Sequence, residues 1–281
     1  MLQVGLSALG LVFLASVWFV PYHGGDLFAY WTVDPVSPYV SEDSVLGRGV
    51  FRYAPPVALL MAPLSLLPWE VLLVAWMGLQ LAALWYIAGW WFLALVLFPP
   101  VYSDLVYGNI NIFLGAVIVA GFRYPSVWNL ALLTKITPGV GIVWFLVRRE
   151  WRSLAAVFGV TAGIVLYSVV IQGTGIWFDW LRVLSEANAA ADPTGTLNLP
   201  LAVRVVLGTA IIGFAGLTDK RWLVPFGVVL AMPVVWLIAL APLCALGRRR
   251  PLGHDDRLDV GIGQSRGRLH AVHDHGGVGG G

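Results

Sequence analysis

Residues 123–149 read RYPSVWNLALLTKITPGVGIVWFLVRR, an apolar stretch with basic residues at both ends and Lys135 near its centre. Because Lys and Arg are retained on the cytoplasmic side of a bilayer, both ends belong on the same side. The stretch is too short for two full crossings, each of which needs about 20 apolar residues. Thr137-Pro138-Gly139 breaks a helix near the middle. The pattern predicts a hairpin of two short membrane helices, with a single tilted span as the alternative.

The whole chain has the composition of a polytopic membrane protein. Of its 281 residues, 59% are hydrophobic and 11% are charged, whereas soluble domains carry about 25% charged residues. This composition excludes a soluble enzyme. The formal charge of +2 gives no indication of nucleic-acid binding. Cys244 is the single cysteine, so no intrachain disulfide can form.

The apolar runs predict an all-α transmembrane helix bundle of about 8–10 membrane helices, counting short Pro-broken hairpins and a juxtamembrane helix. Residues 1–22 carry no charge and lack the basic start of a signal peptide, so we expect an uncleaved first helix. A second break at Met232-Pro233 predicts another hairpin. Residues 54–67 are short and rich in proline, which favours a helix lying at the membrane interface.

Charge sets the predicted orientation. If every basic cluster is cytoplasmic, the N-terminus is cytoplasmic and residues 21–70 and 172–198 are extracytoplasmic. Residues 71–101 then cross twice, around a turn near Gly89. We expect a membrane domain over 1–250 and a disordered cytoplasmic tail over 251–281. The clusters are Arg123, Arg148-Arg149-Glu150-Trp151-Arg152, Lys220-Arg221 and Arg248-Arg249-Arg250.

Two ionisable residues at or near membrane level are candidates for chemistry, because such groups cost about 2.5–3.5 kcal/mol to insert. Lys135 either extends its ammonium to the interface or directs it at an anionic group in a cavity. Asp26 follows the first predicted span after Gly24-Gly25. It is either an ordinary loop or capping carboxylate or a half-desolvated general base.

Carboxamides and aromatic rings form a second group of candidates. Asn109 and Asn111 either cap a helix or donate hydrogen bonds to sugar hydroxyls. The outer aromatic residues either form an interfacial belt or stack on sugar rings. Three histidines in the Gly-rich tail form too loose a pattern to predict a metal site. The aromatic residues are Tyr30, Trp31, Tyr53, Trp177 and Trp180, and the histidines are His270, His273 and His275, with Asp274 beside two of them.

Five short motifs occur in a fixed order over about residues 20–245. They are Gly25-Asp26-Leu-Phe-Ala-Tyr30, Phe51-Arg52-Tyr53-Ala-Pro55-Pro56, Gly108-Asn109-Ile-Asn111, Lys135-Ile-Thr137-Pro138 and Met232-Pro233-Val-Val-Trp236. Together they resemble glycosyltransferase family 87, of the GT-C class of integral-membrane glycosyltransferases. Asn109 and Met232 stand where that family has Gln and Ser, and Leu237, Ile238 and Ala239 occupy the place of a His found in many members. The chain is also shorter than is usual in the family.

The resemblance implies sugar transfer at the outer face of the plasma (inner) membrane. The donor would be a polyprenyl-phosphate sugar, typically mannose, and a lipid or glycan hydroxyl would attack with inversion. Asp26 would be the catalytic base, and Lys135 and Arg52 would bind the donor phosphate. No cofactor or metal is expected, and membrane lipids are the expected surroundings. The residues implied to contact sugar or acceptor are Tyr30, Tyr53, Asn109, Asn111 and Trp236.

Two other classes of function fit the same residues. A transporter or flippase for a lipid-linked anion would also use a lysine beside broken helices. A non-catalytic scaffold of the same family fits the departures from the motifs. The sequence does not distinguish mannose from arabinofuranose as the transferred sugar, and it does not name the acceptor or the linkage.

Overall fold

The computed structural model of the protein describes residues 2–20, 23–39, 51–189 and 199–247. Within these ranges the elements are α-helices and 3-10 helices, with no strand, which confirms the predicted all-α polytopic bundle. Some residues of the sequence analysis lie outside these ranges. They are the predicted tail 251–281 with its histidines, the basic cluster 248–250, and Glu42, Asp43 and Arg48 in the loop 21–70. The α-helices are α1 (Leu2–Ser16), α2 (Gly25–Trp31), α3 (Pro55–Met61), α4 (Trp69–Ala88), α5 (Phe92–Leu95), α6 (Pro99–Tyr107), α7 (Asn111–Gly121), α8 (Asn129–Lys135), α9 (Val143–Val147), α10 (Trp151–Gln172), α11 (Gly175–Ala189), α12 (Leu201–Thr218) and α13 (Val224–Leu230).

Four segments of the described chain are long and apolar enough to cross a membrane: Leu2–Phe19, Trp69–Leu95, Trp151–Gln172 and Leu201–Thr218. A fifth candidate is the pair α6 and α7, which is bent by 116°. Gly89, where a turn was predicted, has a φ of +56° and ends α4, but the apolar segment continues past it to Leu95. One candidate span therefore stands where two crossings were predicted within 71–101, and α6 follows it as far as Tyr107.

The hairpin predicted within 123–149 is also present. Helix α8 ends at Lys135, Ile136 has a φ of +50°, and the 3-10 helix Thr137–Ile142 leads back into α9. The two legs pack closely, because the buried indole of Trp128 lies between Gly121 and Gly141. A Cβ added to either glycine would overlap that ring. The ring is therefore held at both edges.

The second predicted hairpin is stabilised by an arginine. Arg204 on α12 is buried, and its guanidinium donates hydrogen bonds to the carbonyl oxygens of Leu199 (3.0 Å), Met232 (2.5 Å) and Pro233 (2.9 Å). The last two bonds satisfy carbonyl groups that the Met232-Pro233 break leaves without helical partners. The chain continues into the 3-10 helix Leu237–Gly247, which packs against α6 and α7.

Contacts between loops define two ends of the bundle. At one end, Arg148 donates a hydrogen bond to Asp219 (2.9 Å), and the guanidinium of Arg221 lies over the ring of Trp144. At the other end, Gln172 donates to the carbonyl of Pro35 (2.7 Å). Helix α10 joins the two ends with 22 residues, which span about 33 Å at 1.5 Å per residue. Basic clusters that are distant in sequence therefore meet at one end.

Replacement of Gly141 by Ala should destabilise the protein. The added methyl group overlaps Trp128, whose other edge is blocked by Gly121, and overpacking of this kind costs about 1–3 kcal/mol. The measurement is the thermal unfolding midpoint of purified protein in detergent. Gly159→Ala is the matched control, because a Cβ there meets nothing within 4 Å. An unchanged midpoint in Gly141→Ala would contradict the described hairpin packing.

Candidate active site

Asp26 is fixed by contacts between α2 and the turn that joins α6 to α7. The backbone N–H of Gly24 donates to the carbonyl of Val106 (2.7 Å), and Asn109 Nδ2 donates to Asp26 Oδ2 (2.7 Å). This approach requires glycine at position 108, which has a φ of +67° and whose Cβ would overlap Leu27. Burial raises the pKa of Asp26, against the opposing effects of the Asn109 hydrogen bond and the Lys135 charge. The site thus holds a carboxylate that is more basic than a solvated one.

A second carboxylate, Asp104, lies fully buried below this turn. Its Oδ1 accepts a hydrogen bond from Asn111 Nδ2 (3.0 Å), and its Oδ2 accepts one from the backbone N–H of Ile112 (2.9 Å). Gln80 on α4 donates from Nε2 to the carbonyl oxygens of Asp104 (3.1 Å) and Asn109 (2.9 Å). Gln80 therefore ties both sides of the turn to α4.

Lys135 completes the network from the opposite side. It is the last residue of α8, and its Nζ donates to Asn111 Oδ1 at 2.7 Å. Hydrogen bonds consequently link Asp26 to Lys135 through Asn109, Gln80, Asp104 and Asn111, with Gln80 bonded to the backbone carbonyls of Asn109 and Asp104. Asp26, Asn109, Asn111 and Lys135 lie at or beside helix ends, whereas Gln80 comes from the middle of α4. We define these six residues as the polar network.

Two tyrosines lie next to the polar network. The hydroxyl groups of Tyr30 and Tyr53 are 2.7 Å apart, and the ring of Tyr30 lies 5.6 Å from that of Trp76. Both tyrosines are buried, and burial is the main cause that raises the pKa of each phenol above its ordinary value. They are therefore neutral at physiological pH.

An apolar cavity of about 450 Å³ adjoins the polar network. Its buried wall includes Leu133 and Ile110, which are close in sequence to Lys135 and Asn111. Its rim includes Leu60 and Tyr167, each 62% exposed, so the cavity opens at the side of the bundle. The other lining residues are Pro56, Val57, Leu59, Met61, Trp76, Phe113, Leu114, Val117, Asn129, Leu130, Thr134 and Ile164.

The structure brings together most of the residues singled out in the sequence. Asp26, Asn109, Asn111 and Lys135 belong to one network, and the two tyrosines lie beside it. Asn111 is fully buried, and protein groups engage its whole carboxamide. The remaining two candidates lie apart from this network. Arg52 is exposed and offers its carbonyl to Trp180 Nε1 (3.1 Å), whereas Trp236 is 60% exposed; no hydrogen bond within the described ranges joins either side chain to the polar network.

Sequence reasoning missed Gln80 and Asp104. Gln80 is a polar residue in an apolar run, which is a signal for a buried functional group in a membrane protein, whereas Asp104 lies in the polar stretch that leads to Asn109. Their polarity is visible in the sequence, but it does not identify the groups that Gln80 and Asp104 contact. Within the described part of the chain, no three or more His, Cys, Asp or Glu residues are grouped so that they could hold a metal ion.

Comparison with known proteins identifies the family. The chain is 30% identical over 179 residues to a Mycolicibacterium smegmatis protein named polyprenol-phosphate-mannose-dependent alpha-(1-2)-phosphatidylinositol pentamannoside mannosyltransferase. That similarity covers 53% of this chain and 40% of the relative, so the chain spans well under two thirds of the relative's length. No solved structure matches the chain. The family model of glycosyltransferase family 87 matches residues 51–256, and the protein is therefore a member of glycosyltransferase family 87.

Proposed function

We propose that this glycosyltransferase moves a sugar, with mannose as the first candidate, from a polyprenyl-phosphate donor to a hydroxyl of a lipid or glycan acceptor. The observation that carries the proposal is the hydrogen-bonded connection between a basic carboxylate, Asp26, and a partly buried ammonium, Lys135, beside an apolar cavity. The name of the mycobacterial relative includes a polyprenol-phosphate-mannose donor, which agrees with this choice.

The two ends of the polar network suit the two ends of an inverting displacement. Asp26 accepts the proton of the acceptor hydroxyl, and that oxygen forms a bond to the anomeric carbon of the sugar. The bond from this carbon to the phosphate oxygen breaks, and the oxygen keeps the electron pair. Lys135 stabilises the charge on the departing polyprenyl phosphate. The proton thus goes to Asp26, the sugar to the acceptor oxygen, and the phosphate leaves beside Lys135.

The cavity suits the hydrocarbon chain of the donor. It opens at the side of the bundle at Leu60 and Tyr167 and ends near Lys135, so a lipid can enter from the membrane with its phosphate leading. Tyr30, Tyr53, Asn109 and Trp236 keep their predicted roles in positioning sugar or acceptor, whereas the carboxamide of Asn111 is wholly engaged by protein groups. Arg52, whose side chain is exposed, keeps its predicted role toward the phosphate.

A flippase for a lipid-linked anion is the second candidate, since α6 and α7 are bent about a polar site as in transporters. The network favours transfer, because a flippase has no need of the basic carboxylate at Asp26. The non-catalytic scaffold requires neither charged group.

We also propose that the site faces the outside of the plasma membrane. The bent pair α6–α7 and the two hairpins each return to the side from which they start, so the four long segments alone cross the membrane. This arrangement places Arg123, Arg148 and Arg221 on one side together with the N-terminus, and positive charge favours the cytoplasm for that side. The assignment of 1–250 to the membrane domain is part of the same proposal.

Cysteine labelling tests this orientation. In intact cells a membrane-impermeant maleimide should label Ser37→Cys and Ser185→Cys, which are exposed at the Asp26 end, and should label Glu150→Cys and Asp219→Cys only after permeabilisation. Buried Cys244 gives a low background. Labelling of Glu150→Cys in intact cells would mean that an odd number of segments crosses before it.

Replacement of Asp26 by Asn should abolish most of the transfer. The amide keeps the shape of the carboxylate but accepts no proton, and general-base catalysis contributes about 10²–10⁴-fold. The measurement is transfer of radiolabelled mannose from polyprenyl-phosphate mannose in membranes containing the chain. The base works ionised and burial raises its pKa, so the wild-type rate should rise with pH through that pKa, and Asp26→Asn should lose this rise.

Asp34→Asn is the matched control, because Asp34 is an exposed carboxylate at the same end of the bundle and is held by Ser37 and the backbone of Val36. It should transfer at the wild-type rate. Transfer by Asp26→Asn at that same rate would refute the role of Asp26 as the base.

Replacement of Lys135 by Met should weaken binding of the donor phosphate. The apolar stem remains, but a hydrogen bond from a charged donor is lost, and bonds of this kind are worth about 1.5–3 kcal/mol, or roughly 10- to 100-fold in affinity. Lys135→Arg should rescue binding in part, since the guanidinium is bulkier. The measurement is binding of labelled polyprenyl phosphate to purified protein in nanodiscs. Lys220→Met, at the basic end, is the control, and wild-type affinity in Lys135→Met would favour the scaffold.

A further inference from the structure

We propose that Asp104 is a positioning residue which, through the side chain of Asn111, holds the Lys135 ammonium in place for the donor phosphate. The inference rests on the proposed function, because it concerns the same lysine. It assigns a role to a buried carboxylate that the displacement itself does not use. It also changes the role expected for Asn111, from a contact with sugar to an internal bridge.

The orientation of the Asn111 carboxamide is determined by its neighbours. Its NH₂ group donates to Asp104 Oδ1 (3.0 Å) and to the carbonyl oxygen of Ile238 (3.1 Å), and both of these atoms only accept hydrogen bonds. Its oxygen is left to face Lys135 Nζ at 2.7 Å. In the flipped amide, the NH₂ group would face an ammonium and the oxygen would face a carboxylate and a carbonyl. Asp104 and Ile238 thereby fix the orientation of the amide, with its oxygen facing Lys135.

The charge of Asp104 requires an explanation beyond helix capping. Its Oδ2 accepts from the N–H of Ile112, in the first turn of α7, and a neutral Ser, Thr or Asn would cap that turn equally well. A fully buried carboxylate is costly unless a nearby charge compensates for it. Lys135 lies on the other side of a single carboxamide, so the two charges compensate each other without touching.

The carboxamide between the charges has a functional consequence. An ammonium has three N–H donors, and Asn111 takes one of them within the described residues. A carboxylate in direct contact with Lys135 would instead compete with a phosphate for the same charge. The bridge therefore fixes the position of the ammonium and leaves donors for an anionic ligand.

A double-mutant cycle on donor binding tests the inference. Purified full-length wild type, Asp104→Asn, Lys135→Met and the double variant are compared in nanodiscs with labelled polyprenyl phosphate as the probe. Asp104→Asn should weaken binding by about 10-fold, as expected when a charged hydrogen-bond partner is removed. The double variant should bind no more weakly than Lys135→Met, because a residue that acts through Lys135 has no effect once Lys135 is gone.

Control variants separate positioning from folding. Asp179→Asn removes an exposed carboxylate on α11 and should bind as wild type does. If Asp104→Asn does not fold, the swap Asp104→Asn with Asn111→Asp keeps the total charge and the hydrogen bond between the two positions, at the loss of the bond to the Ile238 carbonyl. The swap should fold and yet bind the probe more weakly than wild type, because its carboxylate directly contacts Lys135.

The outcomes distinguish this inference from the proposed function. Wild-type affinity in Asp104→Asn or in the folded swap, together with weak binding in Lys135→Met, overturns the role of Asp104 and leaves the proposed function standing. If Asp104→Asn lowers the affinity for polyprenyl phosphate equally with and without Lys135, the positioning role of Asp104 is overturned as well, since the effect is then structural. Wild-type affinity in Lys135→Met contradicts the proposed function itself.

Discussion

The Asn111 carboxamide stands between the buried carboxylate of Asp104 and the partly buried ammonium of Lys135, and the segments that form the site meet at that bridge. Opposite charges inside an apolar bundle are tolerated when they compensate each other and are hydrogen-bonded. Here the partners come from α6, the start of α7, the end of α8 and the segment at Ile238. Four parts of the chain have to meet at one point.

That meeting explains why the helices are broken. A continuous membrane helix satisfies its own backbone and presents side chains only from its surface, whereas a helix end brings free N–H and C=O groups to a site. Gly108, Ile136 and the Met232-Pro233 break supply such ends, and Arg204 binds the carbonyl groups that the last break releases. Four long segments provide the frame, and the short turned-back pairs carry the chemistry. The apolar cavity beside Lys135 lies between α3, α7, α8 and α10, with Trp76 of α4 in its wall.

Much of this organisation could be predicted from the sequence, because it depends on local patterns. Basic ends around a Pro-broken apolar run predicted the hairpin that ends α8 at Lys135, and motif order indicated the family. The network could not be predicted, since Asp26 and Asn109 are 83 residues apart and hydropathy does not specify which faces meet. Asp104 and Gln80 were missed for that reason. Hydropathy also does not show which candidate side chains reach the network. Trp236 is largely exposed, and the carbonyl of Arg52 rather than its guanidinium makes the described hydrogen bond.

The most direct test of the account is the position of the phosphorus atom in an experimental structure of the protein with polyprenyl phosphate bound. The account predicts phosphate oxygens within hydrogen-bond distance of Lys135 Nζ, about 2.7–3.2 Å, with the isoprenoid chain in the cavity that opens at Leu60 and Tyr167. A phosphate bound instead at the basic end, beside Arg148 and Arg221, with the cavity empty, would contradict it.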